Sequence, residues 1–233
     1  MKLRAVIVGV VLTLVVAGTA YAVGFNQASP FQFDPFKTML VQGSWLSGIG
    51  CPTDATVRPF LPDGTIGDPV PFSAGACDAA ADSSDRSVEG LLLAKTGPTS
   101  NFASSGAILR NVSGISLTEL GYDIRKPGSD PSDPRGSHCG AGAPRFNVTT
   151  STGFFFIGCN SPPGTVTDSG DGWIRLRWTT AAGNLPITGT VSSIAILFDE
   201  GQDTGGPDFF GLAVLDNIDV NTVLVGRGST SAN

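Results

Sequence analysis

Apolar and polar residues alternate in short bursts along this chain, and each burst is bounded by glycine or proline. The clearest is WIRLRWT at 173–179. Ile174, Leu176 and Trp178 fall on one side, while Trp173, Arg175 and Arg177 fall on the other. A period of two is the signature of a strand with one buried face. Residues 115–126 (ISLTELGYDIRK) repeat it, with Leu120, Tyr122 and Ile124 opposed to Gly121, Asp123 and Arg125. So do residues 145–150, where Phe146 and Val148 oppose Arg145, Asn147 and Thr149.

After the small polar turn at 150–153 comes the almost wholly apolar GFFFIG, which predicts a strand covered on both faces. Together these runs form a hairpin bracketed by Cys139 and Cys159. Further strands are predicted at 55–60, 87–95, 105–112 and 191–199, with one long or two short strands at 209–225. Residues 37–46 read as strand or short helix, because periodicity does not arbitrate over so few positions. Residues 23–35 and 161–172 read as an irregular lead-in and a turn cluster, and 127–142 as a long polar loop. No sustained helical period follows residue 22. Many short strands between Gly/Pro turns predict an all-β fold, an antiparallel β-sandwich that is jelly-roll-like and disulfide-stapled.

The N-terminus changes the picture of compartment. Lys2 and Arg4 precede an apolar run at 5–17, and Ala20 and Ala22 stand at the positions a signal peptidase reads. The run is shorter than the roughly 20 residues a spanning helix needs. The expected organisation is a signal peptide at 1–22 and a single β-sandwich domain at 23–225, of which 23–85 could be a loop-rich extension. A mobile tail follows at 226–233. The expected location is secreted. An even count of four cysteines in an exported chain reads as disulfides, and local pairing gives Cys51–Cys77 and Cys139–Cys159. Zinc is disfavoured by the single histidine and the lack of C-x-x-C.

Without Lys2 and Arg4, 12 basic residues face 20 acidic ones, a net charge of −8 for the mature part. That balance argues against nucleic acid and anionic membranes as partners. Charged residues make up only 15% and glycines number 31, which suits a turn-rich extracellular domain.

The closing segment Leu215-Asp216-Asn217-Ile218-Asp219-Val220 resembles the last strand of secreted jelly-roll sandwiches, the carbohydrate-binding modules and galactose-binding-like domains. The resemblance spans roughly 115–225 and implies a sandwich fold. Function does not travel with such a fold by itself.

Three chemistries are open to these residues. For hydrolysis, His138 is the only histidine and no G-x-S-x-G elbow is present. The glutamates Glu89, Glu119 and Glu200 are scattered, although aspartates could still pair in space. For calcium, Asp199, Glu200, Asp203 and Asp208 offer hard oxygens on a glycine-rich loop, which is also the composition of a solvated turn. For ligand binding, Asp123, Arg125, Arg145, Asn147, Trp173, Arg175 and Arg177 share the non-core parity of their strands. On one sheet face they would join an indole for stacking on a sugar ring to directional hydrogen-bonding groups. The competing interpretation is a solvated face with cross-strand ion pairs. The expected function is a non-catalytic domain of carbohydrate-binding type, with a polysaccharide or other polar extracellular ligand. The alternative is a structural or cell-surface protein without a small ligand, and a secreted hydrolase ranks last. Two sequons, at Asn111 and Asn147, matter only in a glycosylating host.

Overall fold

The computed structural model describes residues 27–51, 56–57, 61–68, 70–71, 89–97, 99–100, 102–126, 139, 143–170, 172–199 and 210–228. The signal segment, Cys77, His138, Glu200, Asp203 and Asp208 lie outside the described residues, so the expectations for them end with the sequence.

Among the described residues every regular element is a strand: β1 (Ala28–Phe33), β2 (Val41–Ser47), β3 (Thr56–Val57), β4 (Val70–Pro71), β5 (Glu89–Thr96), β6 (Ser104–Leu109) and β7 (Glu119–Arg125). Then come β8 (Arg145–Thr150), β9 (Gly153–Gly158), β10 (Thr165–Gly170), β11 (Trp173–Thr179), β12 (Val191–Phe198), β13 (Phe210–Val220) and β14 (Val223–Val225). One sheet has the order β1-β6-β12-β8-β9 and the other β10-β11-β7-β13-β5-β2, with β14 paired to β13 and β3-β4 a separate ribbon. All these strand pairings are antiparallel. Successive strands β5, β6, β7 and β8 lie in alternate sheets, as do β11, β12 and β13, so the chain winds around the core in the jelly-roll manner.

The core lies where the inner parities meet. Tyr122 of β7 and Trp178 of β11 come from one sheet and Phe146 of β8 from the other, all fully buried. Their ring centroids are 5.4, 5.6 and 6.0 Å apart, with Trp178 edge-on to both partners. Each such ring contributes about 1.5–3 kcal/mol through burial. The polar handles are satisfied: the Tyr122 hydroxyl donates to Pro144 O at 2.7 Å and Trp178 Nε1 to Pro162 O at 2.8 Å. Burial pushes the Tyr122 phenol well above its ordinary range. The hairpin β8–β9 forms as expected, with Phe146 opposite Ile157 and Thr150 opposite Gly153. Cys139–Cys159 closes it, with a Cα–Cα distance of 5.1 Å. Cys51 is also disulfide-bonded.

Three expectations change and one open alternative is settled. The lead-in contains β1, with Pro30 inside it. A proline is tolerated there because β1 is the edge strand of its sheet, where a missing N–H breaks no ladder bond. The turn cluster at 161–172 contains β10. Residues 41–47 of the ambiguous stretch are strand, and β2 passes so close to β1 that a Cβ on Gly43 would sit 2.7 Å from Phe31 O. Finally, β9 is an edge strand, and Phe154 and Phe156 are exposed rather than covered on both faces. The start of the presumed tail is tied down, since Ala28 donates its N–H to Gly226 O at 2.7 Å.

Candidate functional site

The outer face of the larger sheet is built from three neighbouring strands in matched rows. Trp173, Arg125 and Val214 form one row, and Arg175, Asp123 and Asp216 the next. Arg177, Gly121 and Asp219 form the third. Between the last two rows the register of β13 shifts, leaving a bulge in which Asn217 takes φ 44°. This is the Asp-Asn pair that carried the jelly-roll resemblance, and its role is visible. Asn217 Nδ2 donates to Asp123 Oδ2 at 2.9 Å, while Asp216 Oδ1 accepts the Asn217 N–H at 2.7 Å.

Two of the three arginines of this face are occupied. Arg175 holds Asp123 bidentately, Nε to Oδ1 at 3.0 Å and Nη2 to Oδ2 at 3.3 Å. Arg177 lies across Gly121, whose added Cβ would come 2.3 Å from Arg177 Cδ. From there it reaches Asp219 at 3.4 Å, Asp123 at 3.7 Å and Glu119 at 3.8 Å. Burial pushes the Asp123 carboxyl up against the opposing pull of both arginines. Burial also raises Asp219 to about 6, opposed by Arg177 and reinforced by Glu119. Aspartates do converge here as the sequence allowed, but arginines and backbone donors hold them. The Cys51 N–H donates to Asp216 Oδ2 at 2.5 Å, which brings the chain at Cys51 over the sheet. Trp173 has the expected outward parity, yet it is buried under Cys51 and Val214 together with Ile49, Leu92 and Leu212. The indole is therefore unavailable as a stacking platform. Arg125 is exposed and has no ion pair among the described residues.

Arg145 and Asn147 do not join this group. They stand on β8, in the other sheet, with the core between them and Arg175. The single face of seven residues is thus two faces, because strand parity assigns inside or outside but says nothing of which sheet a strand enters.

The outer face of the five-stranded sheet has a different character. Phe154 pairs across to Thr149 and then Ser193, and Phe156 to Asn147 and then Ala195. Phe154 and Phe156 are 52% and 58% exposed, with centroids 4.7 Å apart in an edge-on arrangement. The Arg145 guanidinium lies 5.7 Å from the Phe156 centroid. It is fixed by a bidentate pair with Asp199, Nη1 to Oδ1 at 2.6 Å and Nη2 to Oδ2 at 2.5 Å. Burial raises Asp199, but Arg145 outweighs it and holds the carboxyl below its usual range. Asp199 is the only described member of the expected calcium loop, and it serves Arg145. No cluster of three metal-ligating side chains occurs among the described residues. The Phe154/Phe156 strip was missed from sequence because an apolar run looks alike whether an edge strand or a central strand carries it. Its nearest signal was the polar Thr150–Thr152 turn beside it.

No family model matches the chain, and no curated protein matches it either. Among solved structures it is similar to a family 11 carbohydrate-binding module of a cellulosomal cellulase of Clostridium thermocellum. The identity is 12% over 87% of this chain and 90% of that one, at a TM-score of 0.36. A family 11 module from Clostridium thermocellum in complex with a β-1,3-1,4-mixed-linked tetrasaccharide gives 13% identity over 86% and 99% of the two chains, at 0.32. A β-1,2-glucanase from Parabacteroides distasonis gives 12% identity over 89% of this chain and 26% of that one, at 0.36. These overlaps are loose, and the β-sandwich of this chain stands on its own strand order.

Proposed function

We propose that this protein is a secreted, non-catalytic ligand-binding domain of carbohydrate-binding type, and that its polysaccharide ligand lies along the outer face of the five-stranded sheet. The observation that carries this reading is the exposed Phe154/Phe156 pair beside a row of polar side chains. Aromatic rings accept the C–H faces of sugar rings, and the Thr149 and Ser193 hydroxyls with the Asn147 amide meet the ring hydroxyls. Arg145 is locked by Asp199, so that edge of the strip is ordered before a ligand arrives.

The test is adsorption of the mature chain to a panel of insoluble polysaccharides, alongside the double variant Phe154→Ala/Phe156→Ala. Wild-type protein is expected to adsorb to at least one member of the panel. The variant is expected to lose at least about tenfold in affinity at an unchanged melting temperature, since exposed substitutions cost within about 0.5 kcal/mol. Absence of adsorption, or equal adsorption by the variant, overturns the proposal. The alternative is a structural cell-surface protein that uses the exposed edge strand β9 against another protein, and it predicts no adsorption at all.

A further inference from the structure

A second, smaller site lies on the side of the sandwich, away from the aromatic strip. There the edge of one sheet, β1, meets the edge of the other, β2, and the chain after β14 folds over the gap. A cavity of about 280 Å³ opens between them, lined by Gln27, Ser29, Pro30, Ser44, Trp45 and Arg227 among others. That volume sits at the lower limit for small-molecule sites, roughly 300–1,000 Å³. It accommodates one sugar-sized ring rather than a chain.

The wall chemistry narrows the ligand. The main chain of β1 offers little here. The Ala28 N–H is taken by Gly226 O, the Ala28 carbonyl accepts Trp45 Nε1 at 2.8 Å, and Pro30 has no N–H to give. Polar contact therefore falls to side chains. Arg227 spends Nη1 on the buried carboxylate of Glu89 at 2.7 Å, and the rest of its half-exposed guanidinium has no partner among the described residues. A second guanidinium backs the same wall, because Arg110 Nε donates to Ser29 Oγ at 2.9 Å and has no carboxylate partner among the described residues. Arg110, like Arg227, thus brings positive charge to this cavity on a chain whose net charge is −6. A guanidinium with open donors matches a carboxylate in geometry as well as in charge. The Ser29 and Ser44 hydroxyls suit ring hydroxyls, and Trp45 and Pro30 supply apolar surface for ring C–H groups.

We infer that this cavity binds a hexuronic acid, free or at the end of a saccharide chain, with Arg227 meeting the carboxylate. The inference does not depend on the aromatic strip, and the two fail separately.

The experiment is a titration of the mature protein followed by calorimetry and by the NMR signal of the Trp45 indole N–H. The probes are D-galacturonate, the neutral D-galactose and trigalacturonate. Galacturonate is expected to bind and to shift the Trp45 signal, with galactose at least about tenfold weaker, as the loss of a charge-assisted pair implies. Trigalacturonate binding at the monomer's affinity assigns a chain end, and binding of the monomer alone assigns the free acid; either supports the site. Arg227→Gln is expected to weaken galacturonate about tenfold or more while polysaccharide adsorption through Phe154 and Phe156 stays unchanged. Should Arg227→Gln fold poorly for want of its Glu89 partner, Ser44→Phe puts a ring into the cavity from the other side and is expected to block binding equally. No binding of galacturonate, equal affinity for galactose and galacturonate, or undiminished binding by a folded variant overturns the inference.

Discussion

At the scale of single residues, the charged side chains on the outer face of the larger sheet are set against each other, Arg175 and Arg177 facing Asp123, Glu119 and Asp219. Asp219 is the residue where that arrangement has a measurable consequence. Its carboxyl is raised from an ordinary 3.8 to about 6, because burial beside β7 disfavours the ionised form more than Arg177 stabilises it. The folded state therefore binds this proton more tightly than the unfolded chain does. The stability linked to it is fully present below about pH 4 and is lost as the pH rises through about 6. Asp219→Asn keeps an acceptor for the Thr222 N–H, which now lies 2.8 Å from Asp219 Oδ1. The melting temperature of this variant minus that of the wild type is expected to grow from pH 4 to pH 7. Parallel pH profiles for the two proteins would show that Asp219 titrates like a solvated carboxyl.

At the scale of elements, β11, β7 and β13 are locked by ion pairs that cross from strand to strand. Arg175 is the main counter-charge of Asp123, which is completely buried. Arg175→Ala takes the bidentate partner from that carboxylate and leaves it Arg177, at 3.7 Å, and the Asn217 amide, so the expected cost is about 3 kcal/mol, the lower end for breaking a buried pair from one side. A fall of that size in urea denaturation is the expected outcome; a change within about 0.5 kcal/mol would mark the arginine as a free surface group. The alternation of WIRLRWT was enough to place Arg175 and Arg177 outward and Ile174, Leu176 and Trp178 inward, and the structure agrees residue by residue. Alternation could not show that the chain at Ile49 and Cys51 would cover the outward Trp173, because that contact joins positions more than 120 residues apart. The same limit hid β1 and β10, short segments that carry a proline or a glycine beside other turn signals and take strand conformation against a neighbouring strand.

At the scale of the whole molecule, two sheets are held by a shared core and pinned at the hairpin by Cys139–Cys159. The bridge closes a separation of 20 residues, worth about 3 kcal/mol in the chain-entropy view. Replacing both cysteines by serine is expected to lower stability by about that amount while leaving the far-ultraviolet circular dichroism of a β protein unchanged. A variant as stable as the wild type would mean that the core alone fixes the hairpin.

The sequence by itself determined the fold class, the hairpin and its disulfide, because each depends on residues close along the chain or on a period of two. The tertiary structure decided which sheet each strand entered, and so which outward side chains met. It separated Arg145 from Arg175, buried Trp173, drew Arg175, Arg177, Asp123, Glu119 and Asp219 into one network, and exposed Phe154 and Phe156 on an edge. Parity along a strand is a local property, whereas the neighbours across a sheet are set by how the whole chain winds.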